Sequence, residues 1–225
     1  MAFPQSDSAP ILARIREALR LSAPAPSVQA PPDADSRRRW LPHVGPDYED
    51  QAASFAAQAA VLKAEFFRFP TLDAAQEHLL GWAREEKWEW IATHSHPLTD
   101  SLLSTTGLPL FQVTPGYDKQ DLEKCPVGLT ACEALVAQTG SVLVSAASSG
   151  GRALSVLPPH HIIIATRDQL VPDLTAAFAR LRSAYGANLP GFLSFITGPS
   201  RTGDIERILV LGAHGPKRLS IFLVG

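Results

Sequence analysis

Cysteine is nearly absent. Cys125 and Cys132 are the only two among 225 residues, too few for a disulfide framework and short of the four thiolates an iron–sulfur cluster usually takes. The simple reading is an intracellular, reducing compartment, the cytoplasm. Long apolar runs are missing too. Nothing approaches the ~20 residues of a membrane-spanning helix, and the opening "MAFPQSDSAPILARIREALRL" lacks the basic-then-apolar order of a secretory leader. Charge of one sign is not in excess: 20 Lys and Arg against 22 Asp and Glu give a formal net charge of -2. No global field therefore draws nucleic acid or an anionic membrane. What is present is 45% hydrophobic residues in a chain long enough for one full α/β domain or two small ones.

The N-terminal segment predicts a helix. Asp7 or Ser8 can cap it, Pro10 suits the first turn, and Ile11, Leu12, Ile15 and Leu19 recur at helical spacing opposite Arg14, Arg16, Glu17 and Arg20. The following "SAPAPSVQAPPDADSRRRW" has no period and is rich in Pro, Ala and Ser. It reads as a semi-extended linker. Its Arg37–Arg39 run can meet an anion, although such runs are more often solvated. Residues 1–45 thus form an arm, and 46–225 a domain.

From Tyr48 onward the pattern becomes helix, strand, helix, strand: "DYEDQAASFAAQAAVLKA", "EFFRFP", "TLDAAQEHLLGWAREEK" with Thr71 as cap, and "WEWIATH". The second half continues with a short strand near Val127, a helix from about Thr130 to Gln138, and a strand from Ser141. Then come the continuous apolar strand "HHIIIAT", a helix between Pro172 and Gly186, and the strands "FLSFIT" and "LSIFLVG". Helices alternating with strands at these lengths require crossover connections. The fold class is α/β, a Rossmann-like open and mostly parallel sheet with helices on both faces.

Ligands of such sheets bind outside the carboxyl ends of the strands. Three small-residue segments are expected at such ends: Ala137–Ser141, Ser145–His161 and Thr197–Glu206. In the third, Gly198-Pro199 turns the chain. Ser200, Arg201, Thr202 and Gly203 then offer free N–H groups at an expected helix start, with the Arg201 guanidinium as a bidentate partner for carboxylate or phosphate. Asp204 and Glu206 can cap that helix, hold Arg201 or act as a base. His214 stands between two glycines. Thr139, Gly140 and Ser141 form the matching wall. Glu133 is either a surface charge on its helix or a carboxylate aimed into the cleft. The bland alternative is a plain strand-to-helix connection. No Walker lysine and no three-glycine dinucleotide pattern occur there.

Other residues carry less. His94 and His96 have chelating spacing but read more simply as loop residues. His160 and His161 read as strand entry, so no metal site is assigned. Both cysteines read as packed thiols, and the four tryptophans as core or core-edge aromatics.

Three stretches together, "VGLTACEALVAQTGS", "GRALSVLPPHHIIIATRDQLVPDL" and "ITGPSRTGDIERILVLGAHGPKRLSIFLV", resemble the LUD domain, most closely the lactate utilization protein C family. The resemblance is firm from Pro126 to Val224 and looser from Tyr48 to Asp118. It implies a fold like that of the ribose-5-phosphate isomerase and CoA-transferase group. It also implies a subunit of a system oxidising L-lactate to pyruvate, alongside iron–sulfur partner proteins that carry the clusters, with no cofactor in this chain. Many family members have Glu before the Thr-Gly pair where Gln138 stands here, and an amide cannot act as a base. Two alternatives remain: an assembly module for the iron–sulfur partners without chemistry, and a sugar-phosphate or CoA-ester enzyme by fold analogy.

Overall fold

The computed structural model describes residues 8–20, 41–202, 210–211 and 215–225. The chain falls into two compact units, Met1–Trp40 and Leu41–Gly225. In the first, α1 (Ser8–Arg20) is the one described element, and Ile11, Leu12, Ile15 and Leu19 are all exposed.

The second unit is built on a six-stranded, all-parallel sheet. Its strands are β1 (Glu65–Phe69), β2 (Ile91–Thr93), β3 (Leu110–Gln112), β4 (Val127–Thr130), β7 (His160–Thr166) and β12 (Arg218–Val224). Their order is β1-β12-β7-β4-β2-β3. One face carries α3 (Leu72–Glu85) and α4 (Pro97–Leu103), joined to it by Ala75, Leu79, Leu102, Ile162, Ile164 and Phe222. The other carries α2 (Tyr48–Val61), whose Ala52, Phe55 and Ala59 pack with Ile163, Ala165 and Ile221. β7 thus sends alternate residues into two cores, which is why "HHIIIA" is apolar without a break.

A second sheet lies beyond α2's core. It is four-stranded, in the order β8-β5-β6-β9, from β5 (Ala134–Val136), β6 (Ser141–Ser145), β8 (Leu170–Val171) and β9 (Leu193–Ile196). β5–β6 and β6–β9 are antiparallel and β5–β8 is parallel. Its far face is covered by α6 (Leu174–Tyr185) through Ala177 and Leu181. Asp173 caps α6, accepting from the Ala176 N–H, and Gly186 ends it at a φ of 57°.

One expected helix and the expected start of another are strands. The Thr130–Gln138 segment enters β5 instead. Leu135 packs toward the α2 core while Ala134 and Val136 pack toward α6, so burial on both sides overrides the helical preference of "TACEALVAQ". Glu133 therefore sits at a corner between sheets rather than on a helix. After Ser200, residues Arg201–Thr202 form β10, antiparallel to β11 (Val210–Leu211). A strand ribbon thus replaces the expected helix start, and its amide groups are directed along a ladder rather than at one point. Three short elements also went unread: α4, β3 and α5 (Lys119–Lys124).

Candidate functional site

The chain leaves β2 outward to β3, whereas from β4 it proceeds to β7 on the opposite side. The crevice between the carboxyl ends of β2 and β4 is thus the topological switch point, where open parallel sheets place their ligands. Two segments meet there. His94-Ser95-His96 follows β2, and Ala131-Cys132-Glu133 follows β4. A third, the loop after β6, closes over them.

Glu133 is held from two directions. Ser145 Oγ donates to its Oε1 at 2.5 Å and Tyr185 Oη at 2.7 Å. Among the described residues nothing hydrogen-bonds Oε2. Ser145 is itself fixed, since the Ala147 and Ser148 amides donate to its Oγ at 3.1 Å. The loop then turns at Gly150, with a φ of 62°. A Cβ there would stand 2.5 Å from His94 Cβ. Glycine lets this loop lie directly on the His94 ring.

His94 is 4% exposed, and neither Nδ1 nor Nε2 has a hydrogen-bond partner among the described residues. Burial lowers its pKa, helped by the neighbouring His96, while a backbone contact to Ala147, too poorly aligned to count as a hydrogen bond, and the Asp100 charge act in the opposite direction. The ring is therefore neutral near pH 7 and offers one donor and one acceptor. Its ring centre lies 5.8 Å from that of His96. His96 caps α4: its Nδ1 accepts from the Leu98 N–H at 3.2 Å. A neutral His96 therefore carries its proton on Nε2. Burial pulls its pKa down, while the charges of Glu133 and Asp100 act in the opposite direction. A carboxylate with one oxygen free of hydrogen bonds among the described residues, a buried imidazole and a half-buried second imidazole thus follow the two strands of the switch point. That set can donate to a ligand oxygen and take up a proton. Among the described residues no group of three or more His, Cys, Asp or Glu is arranged to hold a metal ion.

The Thr-Gly and Gly-Pro-Ser-Arg segments come together elsewhere. Ser141 Oγ and Thr197 Oγ1 are 2.8 Å apart, and β6 pairs with β9 beside them. This cluster stands at the opposite end of β6 from Ser145, about 13 Å away by strand rise. Its glycines are filled by protein. A Cβ on Gly140 would lie 2.7 Å from Gln58 Cβ, and one on Gly198 would lie 2.8 Å from the Leu62 carbonyl oxygen. Both close approaches accommodate the last turn of α2 and its C-cap. A helix carboxyl end is the negative end, unfavourable to an anion. Ser200 N–H donates to the Pro216 carbonyl, and Arg201 is exposed. The Thr139 hydroxyl oxygen is buried with no partner among the described residues. Gln138 donates its amide to the Pro42 carbonyl at 3.0 Å. Asp204, Glu206 and His214 lie outside the described residues, and Thr202 is placed only as part of β10. Glu133 is thus separated from Thr139, Gly140, Ser141, Gly198, Ser200 and Arg201.

The remaining histidine candidates have a structural partner at one ring nitrogen, with Nδ1 of His160 and of His161 buried without one among the described residues. His160 Nε2 meets Ser220 Oγ at 2.8 Å, Ser220 donates to Glu65 at 2.6 Å, and Arg218 holds Glu65 and Glu86. His161 Nε2 meets Thr130 Oγ1 at 2.9 Å. Cys125 and Cys132 are buried, and burial raises both thiol pKa values. Such thiols are poor nucleophiles and poor ligands. An open hollow of about 600 Å³ lies beyond β7 and β12, lined by Tyr48, Thr166, Arg167 and Asp168. Its Arg167 is stacked 3.9 Å over the Tyr48 ring, and none of the unpaired buried groups lines it. The switch point is the better candidate on chemistry. Sequence reasoning noted His94, His96 and Glu133 singly but missed Ser145 and Tyr185. No local signal marks those two, because their partner is 12 and 52 residues away.

Comparison with known proteins adds four findings. The pattern of the LUD domain family matches residues 52–224. "Lactate utilization protein C" of Bacillus subtilis (strain 168) is 33% identical over 123 residues, 52% of this chain and 51% of that protein. "Lactate utilization protein C" of Deinococcus radiodurans is 31% identical over 122 residues, 54% of this chain and 57% of its own length. The chain thus spans about half the length of the curated relatives it matches. A crystal structure of a DUF162 family protein from Deinococcus radiodurans superposes with a TM-score of 0.62 at 23% identity, covering 80% of this chain and all of that one. This likeness bears on the α/β fold alone.

Proposed function

The chain belongs to the LUD domain family, and from that premise we propose that it serves a lactate-utilization system by holding a small 2-hydroxy- or 2-oxo-carboxylate at the β2–β4 switch point. Oxidising L-lactate to pyruvate removes two protons and two electrons. This chain's residues position the substrate and take its hydroxyl proton; as the C2–H bond breaks its proton would pass to solvent, and the two electrons would go to iron–sulfur clusters on partner proteins. Glu133, oriented through Oε1 by Ser145 and Tyr185, takes the hydroxyl proton on Oε2. His96, whose Nδ1 is engaged by the Leu98 N–H, presents its Nε2–H as a hydrogen-bond donor to the ligand. Neutral His94 hydrogen-bonds the reacting oxygen.

The observation that carries this reading is His94. A buried imidazole with no well-formed hydrogen bond at either nitrogen costs up to about 1–3 kcal/mol. A ligand atom in the crevice relieves that cost. The test is reconstitution with the iron–sulfur partners of its system. Lactate-dependent electron transfer should require both components, and Glu133→Gln should lower it by about 10²-fold or more while partner binding persists. Turnover by the isolated chain would refute the subunit role. Full activity in Glu133→Gln would refute the site.

A second reading, an assembly module without chemistry, draws on α1, whose apolar stripe is exposed. It predicts that removing residues 1–40 abolishes lactate-dependent growth while Glu133→Gln and Arg201→Ala leave it intact.

A further inference from the structure

Building on the switch-point reading, we infer that Arg152 grips the ligand's carboxylate and so selects an anionic substrate. The site as described has acid–base groups but no cation within it. The charges acting on His94 and His96 are those of each other's neighbourhood, Glu133 and Asp100, with no Arg or Lys among them. A carboxylate ligand brought beside Glu133 needs a compensating positive charge. Three loops wall the crevice: residues 94–96, 131–133 and 146–159. They contain one Arg or Lys in total, Arg152.

The placement suits the role. Arg152 follows Gly150, whose backbone rests on His94. Two residues of chain span at most about 7 Å. The Arg152 guanidinium lies 5.5 Å over the Phe192 ring. The Phe192 carbonyl accepts from the Ala146 N–H at 3.0 Å, next to the Ser145 that orients Glu133. Arg152 is therefore held at the same end of β6 as the acid–base groups, on an aromatic surface, exposed, and with no ion pair among the described residues. Gly150 and Gly151 carry φ values of 62° and 103°, and nothing lies within 4 Å of a Cβ placed on Gly151. The space beside Gly151 is thus open, whereas Gly150 is fixed against His94, so the change falls on the Arg152 side chain itself. A rotamer change that exchanges the Phe192 face for a carboxylate replaces a weak cation–π contact with a bidentate charge-assisted pair. Arg201, the other candidate clamp, follows the opposite end of β9.

The test is ligand titration of the full chain with pyruvate, L-lactate and the uncharged analogue lactamide. The wild type should prefer the carboxylates. Arg152→Gln should weaken pyruvate and lactate by about 10- to 100-fold and leave lactamide within threefold (~3) of wild type. Arg152→Lys should fall between, because an ammonium keeps the charge but not the planar fork. Unchanged carboxylate affinity in Arg152→Gln, with binding lost in His94→Leu, overturns the assignment of Arg152 and leaves the site standing. No carboxylate binding by the wild type overturns both.

Discussion

Tyr185, the last residue of α6, donates to Glu133 at the corner between the two sheets, Oη to Oε1 at 2.7 Å. Burial and the Glu133 charge both raise the phenol pKa, and its Ser145 contact opposes them, so the hydroxyl remains a donor through the neutral range. Tyr185→Phe removes one of the two donors on Glu133 while keeping the ring. The expected cost is about 1–2 kcal/mol by urea denaturation, with a several-fold loss of lactate-dependent activity in the reconstituted system. Full activity would show that Glu133 needs no support from α6.

His94 separates function from stability. His94→Leu replaces an unpaired buried imidazole with an apolar side chain. The melting temperature should stay level or rise, since an unsatisfied polar group is removed. Ligand binding should be lost. A large fall in melting temperature would instead mark His94 as a structural residue with a partner in solution.

Gly140 and Gly186 make a matched pair for backbone strain and packing. Both have positive φ, 63° and 57°. Only Gly140 faces protein, the Gln58–Ala59 backbone of α2; a Cβ on Gly186 meets nothing within 4 Å. Gly186→Ala should cost about 1–3 kcal/mol from conformation alone, since a φ of 57° with a ψ of -123° is a backbone shape L-residues rarely adopt. Gly140→Ala should cost about 2–6 kcal/mol, because overpacking is added. Equal melting temperatures for the two variants would contradict the packing of α2 against the turn.

The paired histidines of β7 set a pH dependence. Burial, then the Arg218 charge, pushes His160 down to about 4; burial, then His160, pushes His161 down to about 3. Glu65 acts on His160 in the opposite direction. Both rings stay neutral in the folded chain while the unfolded chain protonates them below about 6.5. Their contribution is therefore complete above pH 6.5 and is lost as pH falls toward 4. Between pH 7 and 5.5 the two together should cost on the order of 2 kcal/mol of unfolding free energy. A flat urea midpoint over that interval would contradict their burial as neutral rings.

Much of the main sheet was legible because its signals are local. Thr71 caps α3 as its sequence suggests, accepting from the Ala74 N–H at 3.2 Å. The unbroken apolar run of β7 announced a strand covered on both faces. The second sheet was hidden because β5 has only three residues and a helix-forming composition, and its strand conformation comes from pairing with β6 and β8. Likewise, Gly140 and Gly198 announced close approach, but not what approaches. That proved to be the end of α2. The acid–base cluster escaped for a topological reason: His94, Glu133, Ser145 and Tyr185 come from four separate segments. Only the strand order brings them to one crevice.

The place of β12 has a kinetic consequence. It pairs with β1 on one side and β7 on the other, Glu65 opposite Ser220 and His160 opposite Arg218. β1 therefore has no partner in the main sheet until a segment some 150 residues later arrives. Closing so long a loop delays assembly. Refolding should proceed through an intermediate in which β2, β3, β4 and β7 already protect their amides from exchange while β1 still exchanges freely.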